Sequence, residues 1–172
     1  MLISKKMAAA INTQVGHEFG ASLQYASIAA YFGNESLPEL QKHFNLQSGE
    51  EHDHAMKLVN YLVDAGAQVA IPAVPAPKTG LKSAEEAVRL SVQWEMTVTK
   101  QIGALVDLAT AEKDHTTNQF LQWFVNEQLE EVSSMETLLS MVRRAGESGL
   151  LFVEDYVARK GAAKPGSGGE AD

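Results

Sequence analysis

A chain of 172 residues, 45% hydrophobic and 21% charged, is long enough to bury one sizeable core. Its net charge of −8 argues against nucleic acid or an anionic membrane as the main partner and favours attraction of cations. With no cysteine there are no disulfides or thiolate metal sites, so any metal must be held by carboxylate and imidazole.

The opening "MLISKKMAAAINTQ" is interrupted by Lys5 and Lys6 before an apolar run builds up, so no signal peptide is read there. A first helix is predicted from Ser4 to Tyr31, ending before the turn-like "GNESLP". A second starts near Ser36, with Pro38 in its first turn and Glu39 completing a capping-box pattern, and stops at Gly66. The third begins at Ser83, with Glu86 three residues on, and runs to Ala111. The fourth covers Thr116 to Ala145 and stops at Gly146. The segment "LLFVEDYVARK" reads as a short amphipathic fifth helix, and "GAAKPGSGGEAD" (161–172) as a disordered tail beyond a single domain over 1–160. No stretch approaches the roughly 20 apolar residues of a membrane span, so a soluble, cytoplasmic protein is expected.

Short links join helices one to two and three to four, which makes antiparallel hairpins of both pairs. The link between helices two and three, "AQVAIPAVPAPKTGLK", is different. About 17 extended residues reach roughly 56 Å, whereas a helix of about 28 residues is roughly 42 Å long. The connector can therefore run the length of the bundle and leave helices two and three parallel. The expected fold is all-α: a four-helix bundle with one long crossover and a short fifth helix.

At steps of three and four residues each long helix shows an apolar stripe with a glutamate near its middle. The first stripe runs Met7, Ile11, Gln14, Glu18, Ser22, Tyr25, Ala29, and the second Phe44, Gln47, Glu51, His54, Leu58, Leu62. The third runs Ala84, Val88, Ser91, Glu95, Val98, Ile102, Leu105, and the fourth Phe120, Phe124, Glu127, Glu131, Leu138, Val142. In an up-and-down bundle the helix midpoints share one level. Glu18, Glu51, Glu95 and Glu131 should meet there, with His54 one turn from Glu51. Four carboxylates buried together would protonate or unfold the bundle unless cations neutralised them. Two divalent ions would do so; the donors suit Fe(II), with zinc and manganese as competitors. Around the cluster, Asp53, His17, His43 and His52 read as surface residues, and Tyr25 and Trp123 as side chains near the level of the site.

With "HEFGASLQYASIAAYF", "SGEEHDHAMKLVNYLVDAGAQVAIP", "WEMTVTKQI" and "FLQWFVNEQLEEV" in this order, the chain resembles the bacterial non-haem ferritins over residues 5–159. The resemblance implies a ferritin-like di-iron bundle in which Glu18, Glu51 and His54 bind a first iron. Glu51, bridging, would bind a second with Glu95 and Glu131. It also implies Gln128 as a hydrogen-bonding neighbour, Tyr25 as the tyrosine beside the site, and Glu50, Glu127, Glu130 and Glu131 as a third iron site. The implied activity is ferroxidase, oxidation of Fe(II) by O2 or H2O2, with ferric mineral stored inside a 24-subunit homo-oligomeric cage. The fifth helix would line the four-fold axes, and Glu112, Asp114 and His115 are candidates for lining an iron inlet at the three-fold axes. Bacterioferritins resemble the chain less well. Glu130 stands where they carry a second ligand histidine, and His52 where they carry the haem-binding methionine, so haem is disfavoured. A shell subunit without oxidase activity and a di-iron oxygenase are the remaining alternatives.

Overall fold

The computed structural model describes residues 2–163. In chain order come α1 (Lys5–Asn34), α2 (Pro38–Asp64), α3 (Ala84–Ala111), α4 (His115–Ala145), a single 3-10 turn (Glu147–Gly149) and α5 (Leu150–Ala163). No strand occurs among the described residues. The fifth helix thus extends to Ala163, three residues into the segment read as tail, and residues 164–172 lie outside the described residues.

Most helix starts follow from local chemistry. The Ser4 hydroxyl accepts from the Met7 amide at 2.9 Å, and the Ser83 hydroxyl from the Glu86 amide at 3.0 Å, satisfying donors a helix start leaves orphaned. Asp114 caps α4 by accepting from the Thr117 amide at 2.9 Å, so this helix begins at His115, ahead of the expected Thr116. At the far end Gly146 takes a positive φ of 60°, a conformation glycine adopts without a Cβ penalty.

The start of α2 corrects the sequence reading. Ser36 is not a cap: it lies in the left-handed region with φ 60°, the flanking residue is Leu37, and no local side chain caps the helix. The carboxylate of Glu154, on α5, takes that role. It accepts from the Glu39 amide at 2.9 Å and the Leu40 amide at 2.7 Å, and it is buried. A negative group there also opposes the positive end of the helix dipole. Glu154 therefore ties α5 to the bundle. Glu154→Ala is expected to destabilise the fold by about 1–2 kcal/mol, the scale of a lost cap. Hydrogen exchange at the Glu39 and Leu40 amides should accelerate, and unchanged protection there would remove Glu154 from this role.

The path of the connector shows why α2 and α3 run parallel. Residues 65–83 follow α1 from its N-terminal end toward its C-terminal end, held by two side-chain amides. Asn12 donates to the Gln68 carbonyl at 3.0 Å and accepts from the Ala70 amide at 2.7 Å. Three turns on, Gln24 donates to the Lys78 carbonyl at 3.1 Å and accepts from the Lys78 amide at 2.7 Å. Between the clamps, Pro72 lies so close to α1 that a Cβ on Gly16 would sit 2.4 Å from its ring. Because α1 and α2 form a hairpin, a connector running along α1 restarts the chain at the beginning of α2.

The core is divided. One apolar cluster holds Tyr25, Phe32, Phe44, Val88, Met135 and Val142; the other holds Met7, Ile11, Leu58, Ile102, Leu121 and Phe124. Between them lie Gln14, Glu18, Glu51, His54, Glu95, Gln128 and Glu131, all buried. The apolar clusters supply the burial that holds the helices together, and they fix this costly polar layer between them.

Candidate metal centre

One long helix contributes to each corner of the polar layer. Glu18 comes from α1, Glu51 and His54 from α2, Glu95 from α3, Gln128 and Glu131 from α4. The 3.6-residue helical repeat puts Glu51 and His54 on one face, one turn apart. Glu18, Glu51 and Glu95 are each only 1% exposed. Their donor atoms fall into two groups, Glu18–Glu51–His54 and Glu51–Glu95–Glu131, each with its atoms within 4.8 Å of one another. Glu51 belongs to both.

Hydrogen bonds orient most of these carboxylates. Gln14 donates to Glu18 Oε1 at 2.8 Å. The Tyr25 hydroxyl donates to Glu95 Oε1, and Gln128 donates to Glu95 Oε2 at 3.3 Å and to Glu131 Oε2 at 2.8 Å. Thr99 holds the Gln128 amide by donating to its oxygen at 2.9 Å. Two buried oxygens, Glu18 Oε2 and Glu51 Oε1, have no hydrogen-bond partner among the described residues. Charging these oxygens with no donor beside them is strongly unfavourable, and a cation bound between these groups would stabilise the charged form of both. The donor set of four carboxylates and one imidazole thus fits a pair of divalent ions.

Burial pushes the Glu18 carboxyl up to about 7. It raises Glu51 well above the usual carboxylate range, with repulsion from Glu131, Glu95 and Glu18 adding to the effect. Glu95 is raised by burial, and Glu131 is pushed up to about 10 by burial and by Glu95. In the opposite direction, burial lowers His54 to about 4, so its ring is neutral at pH 7 and a nitrogen lone pair is free for a metal. His54 Nδ1 lies 3.4 Å from Glu51 Oε2 and 4.0 Å from Glu131 Oε1, which aims that nitrogen between the carboxylates. The ring is held edge-on by Trp123 at 5.3 Å and by Phe124 at 6.0 Å between centroids. Lys57 Nζ sits 4.0 Å from the centre of the Trp123 ring, a cation–π contact.

The residues around the layer divide differently from the sequence stripes. On α4 the buried positions are Leu121, Phe124, Gln128 and Glu131; Glu127 and Phe120 are half-buried, so the stripe passes through Gln128 where Glu127 was expected. Tyr25 is fully buried, whereas Trp123 is partly exposed and reaches the site through His54. Of the residues assigned to a third iron site, Glu50 and Glu130 are exposed and Glu50 accepts from Gln47. His17 and His43 are half-buried, and neither joins the two donor groups. His52 and Asp53 are exposed as expected, with His52 edge-on to Phe19 at 5.7 Å. In the α3–α4 turn, Glu112 accepts from the Ser4 hydroxyl at 2.7 Å and Asp114 is the α4 cap, so both have partners within the chain.

Gln14 and Thr99 had no role assigned from sequence. Gln14 carried a legible signal, a polar residue on an apolar stripe one turn before Glu18. Thr99 carried none, since it lies off the α3 stripe.

Comparison with known proteins places the chain in a family. The ferritin-like domain family matches residues 8–145. Ferritin BfrB of Mycolicibacterium smegmatis is 44% identical over 161 residues, covering 94% of this chain and 88% of that protein. The bacterial non-heme ferritin of Staphylococcus aureus is 37% identical over 146 residues, covering 85% of this chain and 88% of that one. The crystal structure of an open pore ferritin from the archaeon Archaeoglobus fulgidus superimposes with a TM-score of 0.88 at 35% identity, covering 91% of this chain and 96% of that one. The chain belongs to the ferritin family, and its fold is that of the ferritin four-helix bundle with a short C-terminal helix.

Proposed function

We propose that this ferritin is an iron-storage protein with ferroxidase activity at a di-iron centre within the subunit. The observation that carries the reading is the sharing of Glu51 by two donor groups inside an otherwise apolar core. A single bridging carboxylate holds two ions close enough for both to act on one oxidant. Glu18, Glu51 and His54 would hold one Fe(II), and Glu51, Glu95 and Glu131 the other. Each iron gives up one electron, and O2 takes both with two protons to leave as hydrogen peroxide; peroxide can itself serve as the two-electron acceptor. The protein contributes charge neutralisation, proximity and a neutral imidazole; Gln128 and Tyr25 hold Glu95 and Glu131 in place.

Ferric product leaves toward a mineral store inside a homo-oligomeric cage of 24 subunits, located in the cytoplasm. Glu50, Glu127 and Glu130 are carboxylates on the helices that carry Glu51 and Glu131, and with Glu131 they form the third iron site on that route. The exposed apolar side chains Leu151 and Phe152 on α5 suit packing against neighbouring subunits around the four-fold axis. No described helix is long and apolar enough to cross a membrane, and the acidic net charge favours iron over nucleic acid as cargo.

Aerobic addition of Fe(II) to the metal-free protein tests the activity. Initial growth of ferric absorbance should be at least about tenfold slower in Glu51→Ala and His54→Ala, since each loses a direct ligand. Equal initial rates in wild type and both variants would leave a shell that mineralises iron without oxidising it. The protein of Mycobacterium tuberculosis that is 42% identical is named Ferritin BfrB in two strains and Bacterioferritin BfrB in a third, so haem is the second reading. A haem absorption band in protein purified from its native cells would favour it, with His52 as the axial candidate.

A further inference from the structure

We propose that Gln14 is a positioning residue that decides which oxygen of Glu18 meets iron, and so sets the affinity of the Glu18–Glu51–His54 half of the centre. This inference rests on the di-iron reading above. Gln14 is buried in the polar layer, and its side-chain amide is engaged on three sides. Its Nε2 donates to Glu18 Oε1 at 2.8 Å and to Gln101 Oε1, on α3, at 3.4 Å. Its Oε1 lies 3.4 Å from His17 Nδ1, one turn along α1, which donates in the Nδ1-protonated tautomer. A flipped amide would set two acceptors against each other at Glu18. The bond to Glu18 therefore selects this orientation, and Gln101, whose own amide can turn to suit, accepts from the same nitrogen.

The consequence falls on Glu18. With Oε1 engaged by the amide, the carboxylate presents Oε2, which is buried and has no hydrogen-bond partner among the described residues. Glu18 is thereby set to bind iron through one oxygen. The other half of the centre is built differently. Glu95 has both oxygens held, one by Tyr25 and one by Gln128, and Gln128 also holds Glu131. Gln14 has no contact with Glu95, Glu131 or Gln128 among its hydrogen bonds, so its influence is confined to the Glu18 half. Removing the amide frees Glu18 to rotate and to bind through both oxygens, at the cost of a charge-assisted hydrogen bond.

Co(II) titration of the full-length metal-free protein, followed by its visible absorption, reads both affinity and coordination number. Wild type is expected to bind two Co(II) per chain. In Gln14→Leu the affinity of one of them should fall about tenfold, the scale of one hydrogen bond to a charged group. The absorption of that ion should weaken as two-oxygen binding raises its coordination number. The same substitution made in a Glu18→Ala chain should cause no further loss, because Gln14 acts through Glu18. An equal loss in both backgrounds, or no loss in either, overturns the proposal, as does a parallel fall at both ions. Should Gln14→Leu fold poorly, Gln101→Leu removes the brace from the partly exposed side. A weakening of about two- to threefold at the same ion is then expected from the loss of a longer hydrogen bond, and none would count against the proposal. Failure of wild type to bind Co(II) would instead remove the di-iron centre itself.

Discussion

Glu51→Ala is expected to abolish tight binding at both halves of the centre, whereas Glu131→Ala should leave the Glu18–Glu51–His54 half able to hold one ion. The asymmetry follows from membership: Glu51 supplies a donor to both groups, and Glu131 to one. Loss of an outer hydrogen-bond partner weakens metal sites by about 10- to 100-fold, so loss of a ligand common to both should exceed that range. Calorimetric titration with Zn(II) reads the stoichiometry directly. Two ions per chain are expected in wild type, one in Glu131→Ala and none with comparable affinity in Glu51→Ala. The metal-free Glu51→Ala protein should be at least as heat-stable as wild type. It lacks a carboxyl that burial and three neighbouring carboxylates make unfavourable when charged. A Glu51→Ala chain that still binds one ion tightly would show that the two groups do not share this residue.

Metal-free protein should lose thermal stability as pH rises from 6.5 to 8. The folded-state values of Glu18, about 7, and Glu131, about 10, lie above the ordinary 4.5. Groups raised in this way contribute stability that is fully present below about pH 4.5 and is lost as pH rises through 7 toward 10. His54 is lowered from 6.5 to about 4, so its contribution is present above 6.5 and lost as pH falls toward 4. From 6.5 to about 7.5 the unfolded histidine still sheds its proton and offsets part of the fall, and above that the carboxylates alone set the slope. Each fully titrating carboxyl accounts for at most about 1.4 kcal/mol per pH unit. Zn(II) displaces these protons and should abolish the fall. Differential scanning calorimetry across the window, with and without Zn(II), checks both statements. A flat metal-free profile, or one of equal slope in Glu131→Ala, would contradict the assignment of this pH dependence to the centre.

The ligand cluster was legible in the sequence because each member sits on an apolar stripe near mid-helix. On such a stripe a glutamate is exceptional whichever face is chosen. The crossover was legible for a different reason: three prolines between two long apolar-periodic segments leave no helix, only reach. The features with no local signal depend on contacts between distant parts of the chain. Glu154 caps α2 from the far end of the chain, and no pattern near Pro38 announces it. Ser36 has the composition of a cap, but its backbone turns into the left-handed region, so its hydroxyl cannot serve the helix start. Steps of three and four drift against the true helical repeat over a helix of 31 residues. Between Phe124 and Glu131, however, both Glu127 and Gln128 satisfy steps of three and four, so spacing alone does not choose between them. Gln14 stood in plain view on the α1 stripe, yet its role needed the contacts around its amide, with Glu18 and His17 on its own helix and Gln101 on α3.

Rapid mixing of metal-free protein with increasing Fe(II) in air-saturated buffer tests the di-iron claim most directly. A centre shared through Glu51 predicts a fast ferric phase whose amplitude grows to two irons per chain and then stops, with slower mineral growth beyond. A fast phase that grows in proportion to added iron, with no break and with equal amplitude in Glu51→Ala, would contradict it.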